Sequence, residues 1–273
     1  MALNKTYIEL ENIRVYCEYS LNNKPPLMLI HGVAATIYTF NALMPLLKDH
    51  FSIVAVDLPG FGRSEKSSSF VYSFENYAKV VQSFIEYFQL KDVTIVGHSM
   101  GGQIALYTAK LFPEKINKLV LLASSGYLKP ANKALIYCTY LPFFKYFIKR
   151  EVLKKEVKDV LKNVFYNPSL ITNRHIEEFG NPLKEEGFYT SLMRLLRHRE
   201  GDLSSGELQN IYIPTLLLWG EEDKVVPVEV GHRLAKDLPN AKLLTYEKTG
   251  HLISEEKPKE VFKEVLSFIF ERG

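Results

Sequence analysis

Six short, continuously apolar runs constrain this chain more than any other feature: Leu27 to Ile30, Ile53 to Val56, Val93 to Val96, Leu119 to Ala123, Thr215 to Trp219 and Leu243 to Tyr246. Runs without alternation suit strands buried on both faces, as in a parallel sheet covered by helices. Helical periods fall between them. From Ser73, a candidate N-cap, the residues Phe74, Tyr77, Ala78, Val81, Phe84 and Phe88 define one buried stripe. Pro258 opens a second amphipathic helix through Val261, Phe262, Val265, Leu266 and Ile269. Before the first run, Ile13, Val15 and Cys17 alternate with Arg14, Tyr16 and Glu18, and Tyr7 to Leu10 can pair with them as an antiparallel hairpin. Strand and helix in alternation predict an α/β fold with a doubly wound sheet.

The alternation stops between about Tyr127 and Gln209, where Val152, Leu153, Val157, Val160, Leu161 and Val164 keep helical spacing without an intervening apolar strand. A chain of 273 residues accommodates one α/β core with such an insertion. The segment holds 14 basic and 10 acidic residues, a surplus of +4, leaving −1 for the remainder. Solvated helix faces account for this surplus.

Composition removes several classes. With 47% hydrophobic and 24% charged residues the chain has the balance of a soluble globular protein. A net charge of +3, spread among acids, gives no nucleic-acid footprint. Cys17 and Cys138 lie far apart without a metal-ligand pattern, and read as packed thiols. The first 18 residues have no continuous apolar segment, so no secretory signal is expected and the default address is cytoplasmic. The longest apolar stretch, Ala134 to Ile148, is broken by Lys145 and is shorter than the ~20 residues of a spanning helix. It could make transient contact with a membrane surface but not cross it.

Chemistry concentrates in Gly97-His98-Ser99-Met100-Gly101-Gly102, a GxSxG between an apolar run and a helical pattern. An elbow of this kind holds serine at a strained backbone position with its hydroxyl exposed, and side chains at the flanking glycines would collide. A serine hydroxyl needs a base, and the base needs a carboxylate to steady it. Among seven histidines, His251 alone follows the last apolar run, at the strand edge where ligands bind in open α/β sheets. Asp223 leaves the run Thr215 to Trp219, with Glu221 and Glu222 as rivals. Asp57 also ends a strand but precedes Ser99, against the order nucleophile, acid, base that goes with this elbow. The expected oxyanion donors are the backbone N–H groups of Met100 and Val33, with His31 and Gly32 forming the turn before Val33.

Taken together, HGVAAT at His31, DLPGFGRS at Asp57, GHSMGG at Gly97, WGEEDKVVP at Trp219 and GHLISEEKP at Gly250 make the chain resemble the α/β-hydrolase superfamily over nearly its whole length. The resemblance implies an eight-stranded, mostly parallel core, residues 1–126 and 210–273, with a mobile helical cap at 127–209. It also implies hydrolysis of a small-molecule ester, without cofactor or metal. Epoxide hydrolases and haloalkane dehalogenases of the superfamily carry aspartate at the elbow, where this chain has Ser99. Carbon–carbon hydrolases of ring-cleavage products share the elbow but commonly have tryptophan after the histidine, where this chain has Leu252; Arg194 and Arg197 are candidates to hold such a substrate's carboxylate. Monoacylglycerol and lysophospholipid lipases share parts of the pattern, and a small-ligand receptor on the same fold is the alternative from outside the enzymes. Tyr137, Tyr140, Phe143 and Phe144, with Leu252, are the expected apolar substrate pocket.

Overall fold

The computed structural model describes residues 3–270. Its eight strands are β1 (Asn4–Leu10), β2 (Ile13–Ser20), β3 (Pro26–Ile30), β4 (Ser52–Val56), β5 (Val93–His98), β6 (Ile116–Leu122), β7 (Thr215–Gly220) and β8 (Ala241–Tyr246). They form one sheet in the order β1-β2-β4-β3-β5-β6-β7-β8. β1 and β2 form the expected hairpin, with Tyr7 opposite Tyr16, and β2 meets β4 antiparallel; every other pairing is parallel.

Successive residues along the central strands feed two separate cores, which explains why those strands carry no polar alternation. Ile95, Leu119, Leu121, Leu217 and Trp219 face one core. Their neighbours Val96, Val120, Leu122, Leu216 and Leu218 face the other. The first core is closed by α1 (Phe74–Tyr87) and α2 (Met100–Leu111), the second by α9 (Pro258–Phe270). Ser73 caps α1, its hydroxyl accepting the Asn76 N–H at 3.2 Å.

Between β6 and β7 lie α3 (Lys133–Thr139), α4 (Phe144–Leu153), α5 (Val157–Val164), α6 (Asn173–Gly180) and α7 (Glu186–His198), with short helical turns and no strand among the described residues. Helix α8 (Val228–Asp237) then separates β7 from β8. Chain order reverses around β3, whose neighbours are β4 on one side and β5 on the other. In an open α/β sheet the crevice beyond the carboxyl ends of strands at such a reversal is where ligands bind. Gly32 and Ser99 both lie in this crevice.

Candidate active site

Ser99 follows β5 and has φ +54° and ψ −121°, a conformation that a side chain makes costly and that the surroundings must enforce. The enforcement comes from close packing. A Cβ on Gly97 would lie 2.4 Å from the Gly101 carbonyl oxygen, and one on Gly101 would lie 2.1 Å from that of Ile30. The Ser99 N–H donates to the Leu122 carbonyl at 3.0 Å, and its carbonyl accepts from Gly102 and Ser125. Since Met100 begins α2, its N–H has no partner within the helix.

Asp223 sits just past β7. Its Oδ1 accepts the backbone N–H groups of Val225 and Val226, at 2.7 and 2.9 Å, which fix the carboxylate. The other oxygen, Oδ2, lies 2.7 Å from His251 Nδ1. With Nδ1–H donating to the carboxylate, Nε2 is left as the basic nitrogen. Both side chains are buried. The rival carboxylates are engaged elsewhere, Glu221 with the Thr245 hydroxyl and Glu222 with the Thr249 N–H.

His98 packs its ring against that of His251, with centroids 4.7 Å apart, and its Nε2–H donates to the His251 carbonyl at 2.9 Å. Burial, reinforced by the adjacent His251, pushes the His98 imidazole down to about 3, so it stays neutral. A neutral ring already bound to a carbonyl supports the loop of its neighbour.

His31 is wholly buried, and burial lowers its pKa despite the opposing pull of Asp57. Its Nε2 accepts the Leu58 N–H at 2.9 Å, which leaves Nδ1–H to donate to the Gly32 carbonyl at 2.7 Å. Across a trans peptide, carbonyl and following N–H point in opposite directions. Holding the Gly32 oxygen therefore fixes the aim of the Val33 N–H. Gly32 approaches so closely that a Cβ there would sit 2.9 Å from that of Ser99. Asp57 accepts the N–H groups of Ile37 and Arg63, at 2.7 and 2.9 Å, and so pins the turns after β3 and β4.

Ser99, His98, His251, Gly32, Val33 and Leu252 line one cavity of about 310 Å3. Its far walls come from the helical insertion: Val152, Val157, Val160, Leu161, Val164, Phe179, Leu183, Phe188 and Leu192. Lys155 is the one acid or lysine/arginine side chain in the lining. The expected aromatic pocket needs correction. Tyr137, Tyr140 and Phe143 are 72%, 62% and 79% exposed, Phe144 is half-buried, and none of the four lines this cavity; only Leu252 of that group does. They stand on the outer side of α3 and α4, while the valines of α5 form the wall. Arg194 donates to the Phe70 carbonyl and Arg197 to the Thr139 hydroxyl and carbonyl, so both guanidinium groups tie α7 to its neighbours outside the cavity.

Residue patterns gave no hint of a further set of contacts that join this site to the insertion. The His251 N–H donates to the Val164 carbonyl at 2.7 Å. The Glu256 carboxylate accepts the N–H groups of Gly250, Tyr166 and Asn167, at 2.7 to 3.2 Å. Cys17 is buried, with its thiol pushed up to about 12 by burial, and Cys138 is half-buried. Among the described residues no group of three or more His, Cys, Asp or Glu is placed to hold a metal ion. No helix among them is long and apolar enough to cross a membrane.

A family model for the alpha/beta hydrolase fold matches residues 25–154 and 178–258. The chain belongs to the α/β-hydrolase family. It is 42% identical over 261 residues to an uncharacterized hydrolase, YugF, of Bacillus subtilis, covering 95% of this chain and 96% of that one. It is 27% identical to a 2-hydroxy-6-oxo-6-(2'-aminophenyl)hexa-2,4-dienoic acid hydrolase of Metapseudomonas resinovorans, over 91% of this chain and 85% of that one. Among solved structures, a bacterial membrane phospholipase A superposes with a TM-score of 0.82 at 25% identity, covering 98% of this α/β-hydrolase and 86% of that chain. The protein is a hydrolase of this family.

Proposed function

We propose that this α/β-hydrolase cleaves carboxylic esters of small to medium apolar substrates through an acyl-enzyme on Ser99. The observation that carries the reading is the 2.7 Å contact between His251 Nδ1 and Asp223, with His251 and Ser99 on the wall of the same apolar cavity. In this reading residues 127–209 are a cap over a core of residues 1–126 and 210–273, and substrate enters between the two.

His251 Nε2 takes the Ser99 proton as the oxygen attacks the ester carbonyl, and Asp223 stabilises the imidazolium that forms. The Val33 and Met100 N–H groups receive the oxyanion; loss of one such donor costs about 3 kcal/mol of transition-state stabilisation. His251 then returns the proton to the departing alcohol. Water, deprotonated by the same nitrogen, attacks the acyl-enzyme and restores Ser99.

The apolar lining supports an uncharged acyl group. A second reading, hydrolysis of a carbon–carbon bond in a ring-cleavage product, draws support from the Metapseudomonas relative. Against it stands the engagement of Arg194 and Arg197 with protein carbonyls and hydroxyl, which leaves Lys155 as the cation available to a substrate carboxylate at the cavity. An aryl-ester panel of increasing acyl length, run beside one ring-cleavage dienone, tests both. Turnover of esters with the dienone inert is expected; the reverse result would replace the ester reading by the second.

A further inference from the structure

Residues 137 to 153 carry an unusual density of uncovered apolar side chains. Tyr137, Tyr140, Leu141, Phe143, Tyr146 and Phe147 are each more than half exposed. Phe143, Tyr146, Phe147 and Arg150 recur at the three- and four-residue spacing of one helical face, and Tyr137, Tyr140 and Leu141 continue the patch from α3. Both α3 and α4 pack against α7 on their inner sides, so these rings point away from the body of the molecule. Single exposed apolar residues need no explanation, but a contiguous group of large ones marks an interaction surface.

Charge selects the partner. Between residues 133 and 153, the span of α3 and α4, four basic side chains stand against one acidic one, a net +3 that equals the charge of the whole chain. Lys145 and Lys149 pair with Glu186, and Lys154 with Glu151. Lys133 and Arg150, on α3 and α4, have no carboxylate partner among the described residues. Tyrosine and phenylalanine interleaved with lysine and arginine on a helical surface suit the boundary between lipid headgroups and acyl chains, where rings bury and cations meet anionic headgroups. The same segment leads into the active-site cavity, since Val152 and Lys155 line it.

We propose that the outer face of α3 and α4 docks this hydrolase on an anionic lipid bilayer, with the cavity held at the membrane surface. Docking is peripheral and reversible, because no helix among the described residues is long and apolar enough to cross a bilayer. It requires no catalysis, so it stands or falls separately from the ester reading.

The test is sedimentation of the full chain with phosphatidylcholine vesicles, with and without phosphatidylglycerol. Binding is expected only to the anionic vesicles, and is expected to fall about tenfold at about 1 M salt, where the Debye length is about 3 Å. The doubly substituted Phe143→Ser, Phe147→Ser chain should lose about tenfold in vesicle affinity through lost apolar burial, while its hydrolysis of a water-soluble ester stays unchanged. Charge reversal at Lys133 and Arg150 should weaken binding and flatten its salt dependence. Absence of wild-type binding to anionic vesicles would overturn the proposal, as would undiminished binding by the Phe143, Phe147 variant. A dimer in light scattering that the same variant splits would assign the face to a second copy of the chain and overturn it equally.

Discussion

The backbone N–H of His251 donates to the carbonyl of Val164 at 2.7 Å, so the loop carrying the candidate base is hydrogen-bonded directly to the end of α5. A Cβ on Gly250 would lie 2.6 Å from that same carbonyl oxygen, which leaves room only for glycine beside the histidine. Glu256 closes the junction from below by accepting N–H groups from both partners. The position of the imidazole therefore depends on the insertion being in place.

Removing Glu256 should expose that dependence. Glu256→Ala leaves the buried Gly250 N–H without its acceptor, at a cost of about 1–3 kcal/mol in stability, while the N–H groups of the exposed Tyr166 and Asn167 turn to water. Because the disturbance reaches the candidate base, kcat should fall roughly tenfold or more beyond any change in KM. Glu256→Gln keeps one acceptor oxygen and should recover part of both losses. Steady-state kinetics alongside thermal melts check this; an unchanged kcat in the alanine variant would reduce Glu256 to a purely structural contact.

Asp223→Asn tests the orientation of the histidine. Asparagine can retain the acceptor for Val225 and Val226 but presents an amide where a carboxylate now receives Nδ1–H. The imidazole then favours the wrong tautomer, and kcat should drop on the order of 10^3- to 10^4-fold with little change in melting temperature. A loss smaller than tenfold would remove Asp223 from the proposed role.

His31→Leu should act on the proposed oxyanion site at one remove. Without the Nδ1–H bond the Gly32 carbonyl is released, and the Val33 N–H loses its fixed aim. The expected loss approaches that of deleting one donor, about 10^2-fold in kcat, with KM for the ester nearly constant. Because the Leu58 N–H also loses its partner, a destabilisation of about 1–3 kcal/mol accompanies it. A fall in stability with kcat preserved would confine His31 to holding the turn.

Glu255 links stability to pH. It lies at the insertion boundary, accepting the Ala42 N–H and facing His175 Nε2 of α6 at 3.3 Å. Burial pushes its carboxyl from 4.5 up to about 7, and burial lowers His175, so both groups favour their neutral forms and the contact is a hydrogen bond more than an ion pair. A folded-state value above the unfolded one stabilises the native protein fully below about pH 4.5, and that stabilisation is lost as the pH rises through about 7. Glu255→Gln cannot ionise. Relative to wild type it should therefore gain on the order of 1–3 kcal/mol between pH 5 and pH 8 in denaturant unfolding. A difference that is flat with pH would contradict the assignment.

The sheet and the three candidate side chains were legible in the residues for different reasons. Ile95 and Val96 face opposite cores, and burial on both faces writes a strand as an unbroken apolar run. Ser99 was marked by glycines whose missing side chains make room for neighbouring carbonyl oxygens. The pocket was not legible. Tyr137, Phe143 and Val157 all fall in the one helical insertion, and a helical pattern there gives a face without saying what covers it. Only the packing on α7 turns the aromatics outward and leaves the α5 valines lining the cavity. The bond from His251 to Val164 uses backbone atoms and has no side-chain signature.

The most direct measurement is mass spectrometry of the protein treated with a fluorophosphonate, with ester turnover followed in parallel for wild type and Ser99→Ala. A single adduct on the Ser99 peptide, together with loss of both label and turnover in the variant, is predicted. An adduct on another residue, or turnover that survives in Ser99→Ala, would contradict nucleophilic catalysis by Ser99.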